Sequence, residues 1–129
     1  KYGQATKAEE VDMMLGWAIG STSNSNTIVL VKDQQLIGNG VGQQDRVGAA
    51  GLALTRAMRS GHDINGAVAM SDSFFAFPDA PELLINAGVK SIITTTGSVR
   101  DQETIDLCQT RGVTLYMMPD KSARGFFGH

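Results

Sequence analysis

Thr27-Ile28-Val29-Leu30-Val31-Lys32-Asp33-Gln34-Gln35-Leu36-Ile37-Gly38-Asn39-Gly40-Val41-Gly42 is the stretch that decides the fold. Its first five residues form an unbroken β-branched and apolar run, which predicts a strand buried on both faces. Lys32 to Gln35 make a short polar turn, and Leu36 to Gly42 return as a second, glycine-rich strand. A hairpin of this kind fixes an antiparallel pair, to which any later strands must be added.

Working outward, Thr6 and Glu9 have the spacing of a capping box. Val11, Met14, Leu15, Ala18 and Ile19 follow at helical intervals, predicting a first helix with these residues on its buried face. After the hairpin, Gln43 to Ser60 reads as a helix with Val47, Ala50, Leu54, Ala57 and Met58 on one side and Gly61 at its end. Gly66 to Met70 is a third strand. Asp79 is placed to cap the next helix, with Pro81 in its first turn and Gly88 as its stop. Ser91 to Thr95 is a fourth strand. Ser98 and Asp101 open a helix to Arg111, Gly112 stops it, and Val113 to Met117 is a fifth strand.

The order is α-β-β-α-β-α-β-α-β. A hairpin followed by β-α-β units predicts one α/β domain over residues 1–129, a three-layer α/β/α sandwich with a mixed sheet. In such open sheets ligands gather beyond the carboxyl ends of the strands. The Ser71 to Asp79 and Thr96 to Ser98 turns both fall there.

Composition narrows the function. The chain has 129 residues, 42% hydrophobic and 19% charged, which is globular rather than disordered. A net charge of −2 argues against a broad nucleic-acid surface. No apolar run approaches the roughly 20 residues that span a bilayer, so no membrane partner is expected. Cys108 is the sole cysteine, which excludes an internal disulfide and fits a cytoplasmic setting; inside a helical pattern it reads as a small buried hydrophobe. With His62 and His129 the only histidines, no metal site is expected, and His62 is expected to face solvent. The chain begins at Lys1 rather than Met, so an upstream segment is expected.

Three segments suit ligands. In Ser71-Asp72-Ser73-Phe74-Phe75-Ala76-Phe77-Pro78-Asp79 three phenylalanines in four residues flank two acids. Either they rim a site for a flat heterocycle, or they pack under the sheet edge while Asp79 caps a helix; the pattern leaves both open. Gly38-Asn39-Gly40-Val41-Gly42-Gln43-Gln44-Asp45-Arg46 either lets a backbone approach a ligand, with Arg46 gripping an anion, or is a glycine strand required by packing. Thr96-Gly97-Ser98-Val99 offers amides at a helix start, or is capping alone.

Taken in order, Ser25-Asn26-Thr27-Ile28-Val29-Leu30-Val31-Lys32-Asp33, Ile37 to Val47, Ser71 to Asp79, Ala87-Gly88-Val89-Lys90 and Gly97-Ser98-Val99-Arg100-Asp101 resemble the carboxy-terminal half of the transformylase domain in the AICAR transformylase/IMP cyclohydrolase family. The resemblance implies a cytidine-deaminase-like subdomain within an enzyme of purine (IMP) biosynthesis. That enzyme moves a formyl group from 10-formyltetrahydrofolate to the 5-amino group of AICAR. It further implies AICAR-side positions at Asn26, Arg46, Phe74 and a C-terminal basic residue, here Arg124. Folate-side positions fall at Val47, Asp79, Ser98 and Val99. A homodimer, or the missing amino-terminal half, is the implied protein partner. The family's catalytic Lys-His pair belongs upstream and matches nothing here, so the segment alone is expected to be inactive. This chain departs from the family at Asp45, at Pro78 and near the C-terminus. The alternative is a stand-alone, non-catalytic nucleotide-binding or regulatory module of the same fold.

Overall fold

A computed structural model describes residues 2–20, 26–75 and 77–119. Nine elements follow in chain order: α1 (Lys7–Gly20), β1 (Ile28–Lys32), β2 (Gln35–Gly40), α2 (Arg46–Arg59), β3 (Val68–Ser71), α3 (Asp79–Asn86), β4 (Ser91–Thr95), α4 (Asp101–Arg111) and β5 (Thr114–Met118). The strands form one open sheet in the order β2-β1-β3-β4-β5. β1 runs antiparallel to β2 and β3, whereas β3-β4 and β4-β5 are parallel. The predicted α/β/α sandwich with a mixed sheet is therefore the fold.

The hairpin turn has positive φ at both Asp33 and Gln34, the primed geometry that matches strand twist. The buried Asp12 of α1 supports it by accepting a hydrogen bond from the Gln34 N–H at 2.7 Å. The capping box forms in both directions: Thr6 N–H donates to Glu9 Oε1 and Glu9 N–H to Thr6 Oγ1.

The layers are unequal. Ile28, Leu30, Ala69, Ile92 and Leu115 point to the side covered by α2, α3 and α4, where the larger core lies. Val29, Val31, Val68, Met70 and Ile93 face α1.

The structure corrects three details of local packing. α1 buries Asp12, Met13, Gly16 and Gly20, while Val11 and Met14 are exposed. The reason is close approach: a Cβ on Gly16 would sit 3.1 Å from Met70 Cβ, and one on Gly20 would collide with Met70 Sδ. α2 begins at Arg46 rather than Gln43, because Asp45 caps it by accepting from the Gly48 N–H at 2.5 Å. Its buried face is Ala49, Ala50, Ala53, Leu54 and Ala57, with Val47 and Met58 outside.

The glycine strand explains those alanines. A Cβ on Gly38 would strike the Ala53 carbonyl oxygen, and one on Gly40 the Ala49 carbonyl oxygen. Gly38 and Gly40 thus serve helix-on-strand packing, one of the two readings the sequence left open.

Candidate functional site

Topology gathers the site at one edge of the sheet. β2, β3, β4 and β5 share a direction and end there, and the antiparallel β1 begins there. Asn26 precedes β1, Arg46 opens α2, and Phe74 to Asp79 link β3 to α3. A cleft of about 350 Å³ is lined by Asn26, Asp45, Arg46, Val47, Ser73, Phe74, Phe77, Asp79 and Ala80. Five residues singled out from sequence, Asn26, Arg46, Val47, Phe74 and Asp79, therefore meet in one place.

The two loops flanking the cleft are tied together. Asn26 and Gln43 exchange backbone hydrogen bonds at 3.1 and 3.2 Å. Arg46 reaches across: Nη2 donates to Asn26 Oδ1 at 2.6 Å, and Nη1 donates to Asp72 Oδ1 and to the Thr27 carbonyl oxygen. Asp72 also accepts from the Thr27 N–H at 3.0 Å, and its side chain is fully buried. Arg46 is thus ion-paired inside the protein before any ligand arrives. Asp45 is spent on its cap rather than on Arg46.

The three phenylalanines divide between the two readings. Phe75 lies in the core at 2% exposure, Phe74 is half-buried in the cleft wall, and Phe77 is 55% exposed at its rim. The turn is held by Ser73, whose carbonyl oxygen accepts from the hydroxyls of Ser71 at 2.7 Å and Thr94 at 2.8 Å. Asp79 is not the cap of α3. The N-cap position is Pro78, Asp79 is the first helical residue, and its carboxylate has no hydrogen-bond partner among the described residues. An exposed acid without a partner at a cleft edge can accept hydrogen bonds from a ligand.

Ser98 and Val99 do not line this cleft. Ser98 is used locally, with Oγ accepting from the Arg100 N–H and N–H donating to Asp101 Oδ1. Val99 is fully exposed. Their turn nevertheless touches the rim, because the Arg100 guanidinium lies 4.9 Å over the Phe77 ring. Arg124 lies outside the described residues.

Asp72, Ser73 and Phe77 join the site without having been singled out individually. The signal for Asp72 was a carboxylate directly after a buried strand, which needs a partner. Elsewhere, burial pushes the Cys108 thiol up to about 11, which leaves it a poor nucleophile. His62 is partly exposed, in a surface groove that Arg56 and Arg59 also line. Among the described residues no helix is long and apolar enough to cross a membrane.

Comparison with known proteins agrees with this architecture. Residues 1–56 match the AICARFT/IMPCHase bienzyme family. The chain is 44% identical over 112 residues, 87% of its length, to the bifunctional purine biosynthesis protein PurH of Oceanobacillus iheyensis. It is 46% identical over 113 residues to that of Mycobacterium ulcerans, and 47% over 105 residues to that of Prochlorococcus marinus. It spans about a fifth of the length of these relatives (21%, 21% and 20%). Among solved structures, the fold is similar to a diaminohydroxyphosphoribosylaminopyrimidine deaminase/5-amino-6-(5-phosphoribosylamino)uracil reductase of Thermotoga maritima, with TM-score 0.59 and 19% identity over 92% of this chain and 38% of that one. Acinetobacter baumannii RibD is alike, with TM-score 0.59 and 22% identity over 93% of this chain and 40% of that one. The sheet and helices thus share the fold of these two proteins.

Proposed function

We propose that this chain is the carboxy-terminal subdomain of an AICAR transformylase and supplies one wall of its site in purine biosynthesis. The observation that carries the reading is the convergence of Asn26, Arg46, Phe74 and Asp79 on one cleft, in a chain about 45% identical to PurH proteins.

Each group has a physical task. Phe74 offers a ring face to a flat heterocycle. Asn26 and Arg46 present an amide and a guanidinium to the polar substituents of AICAR. Asp79 accepts from the edge of the folate ring, and Val47 with Phe77 gives that ring an apolar bed. Formyl transfer needs the 5-amino group held against the formyl carbon of 10-formyltetrahydrofolate and a proton removed as the new C–N bond forms. The first task is positioning, which these residues suit. The second belongs to the Lys-His pair of an upstream segment or partner, typically worth about 10²–10⁴ in rate. The same juncture is where a homodimer or amino-terminal half would complete the site.

Isothermal titration of the chain with AICAR and with a folate analogue tests this. Binding of AICAR, weakened about tenfold in Phe74→Ala, is the expected result. A folded chain that takes up neither ligand overturns it. The non-catalytic module reading draws on the committed charge of Arg46. Formyl transfer restored by adding the amino-terminal half excludes it.

A further inference from the structure

We propose that Asp72 is a positioning residue, neutralising and aiming Arg46 so that the cleft selects a neutral amide over an anion. The inference rests on the cleft being the AICAR site and adds a residue and a selectivity to it. Asp72 does not line the cleft, yet it is 1% exposed and bonded on two sides. Its backbone N–H donates to the Thr27 carbonyl oxygen at 3.2 Å, and its Oδ1 accepts from the Thr27 N–H. A carboxylate anchored in this way to the start of β1 cannot follow Arg46; Arg46 must come to it.

The consequence lies in the guanidinium's five donors. Nη1 is occupied by Asp72 and the Thr27 carbonyl, and one Nη2 hydrogen by Asn26. The Nε–H and the second Nη2–H have no acceptor among the described residues, and Arg46 is part of the cleft wall. Arg46 therefore meets a ligand as a fixed hydrogen-bond donor whose charge is already balanced. The other cleft-lining charges, Asp45 and Asp79, are negative. Such a wall favours a carbonyl oxygen and disfavours a carboxylate.

The test compares AICAR with its analogue bearing a 4-carboxylate in place of the carboxamide, titrated into wild type and Asp72→Asn in the full chain and in the complete enzyme. Asp72→Asn keeps an acceptor for Thr27 and removes the charge. The expected result is a shift of about tenfold or more in relative affinity toward the carboxylate, since a guanidinium freed of its partner prefers an anion. Equal loss of both affinities, or no change, overturns the proposal, because a merely structural Asp72 would move both together. Should Asp72→Asn fail to fold, Arg46→Lys serves: it keeps a positive charge on Asp72 but not the planar fork, so affinity for the carboxamide should fall about tenfold. Unchanged carboxamide affinity in Arg46→Lys overturns the proposal. If the wild type takes up neither ligand, the transformylase reading fails, and solvent exchange of the Arg46 Nη1 hydrogens, which Asp72 holds, decides this one by NMR. Slow exchange in wild type and fast exchange in Asp72→Asn supports it, and equal rates overturn it.

Discussion

Removing the Arg46 side chain would leave a fully buried carboxylate without its cation. Breaking a buried pair from one side typically costs about 3–5 kcal/mol, so Arg46→Ala should lower urea-denaturation stability by that order. The same substitution at Arg100, whose partner Glu103 is exposed, should cost under about 1 kcal/mol. Cys108 gives a second expectation at this scale. Its folded value, about 11, lies above its ordinary 9.0. Its contribution is therefore intact below pH 9 and is lost as pH rises toward 11, where the unfolded chain gives up the proton first. The loss amounts to about 2–3 kcal/mol, and Cys108→Ala should remove it from the alkaline limb of a stability-against-pH curve. Ellman's reagent should leave native Cys108 untouched at pH 8 and modify it in urea. The Arg46-Asp72 pair itself was not legible in the sequence. Residues 26 apart share no periodicity, and only the fold brings the end of β3 beside the start of α2.

At the scale of elements, strand and helix order was readable because each boundary carries its own chemistry: a capping box at Thr6, positive-φ glycines at Gly61, Gly88 and Gly112, and a β-branched run in β1. The buried face of α1 was not readable. Apolar spacing pointed to Val11 and Met14, but Gly16 and Gly20 allow the close approach to Met70 and so turn the helix onto the face of Met13, Gly16 and Gly20, with Leu15, Trp17 and Ile19 packed beside it. Gly40→Ala should cost at least about 1–3 kcal/mol in thermal unfolding, because its Cβ meets backbone that cannot rotate aside. Glu9 ties α1 to the sheet, with Oε2 accepting from the buried Ser91 hydroxyl at 2.5 Å. Burial alone would push its carboxyl up, but the bonds from Ser91 and Thr6, with Lys90 nearby, bring it below the ordinary range. Its stabilisation is therefore full above the ordinary glutamate range and is lost as pH falls through the lowered value. Glu9→Gln should flatten that part of the acid unfolding curve.

For the whole molecule, the sheet divides two unequal cores, and among the described residues α1 alone covers the smaller one. Amides of α1 should exchange with solvent through a lower-energy opening than those of β1 and β3, which hydrogen-exchange mass spectrometry can resolve. Nearly coincident exchange would show that the two cores open as one. At this scale the site was legible in part. The rule that ligands gather at the carboxyl edge pointed to the Ser71 to Asp79 turn, and the fold brings Phe74 and Asp79 of that turn to Asn26 and Arg46. It did not predict that the Ser98 turn would stand back and touch the cleft through Arg100 and Phe77. The glycines of β2 carry one last implication. With bare backbone pressed against α2, and Arg56 bonded to Asn39 farther along, helix and strand have no compressible layer between them. They form a stiff lever, with Arg46 at its tip. Because Asp72 and Asn26 also hold that tip, a shift of the strand against the helix would be resisted at both ends.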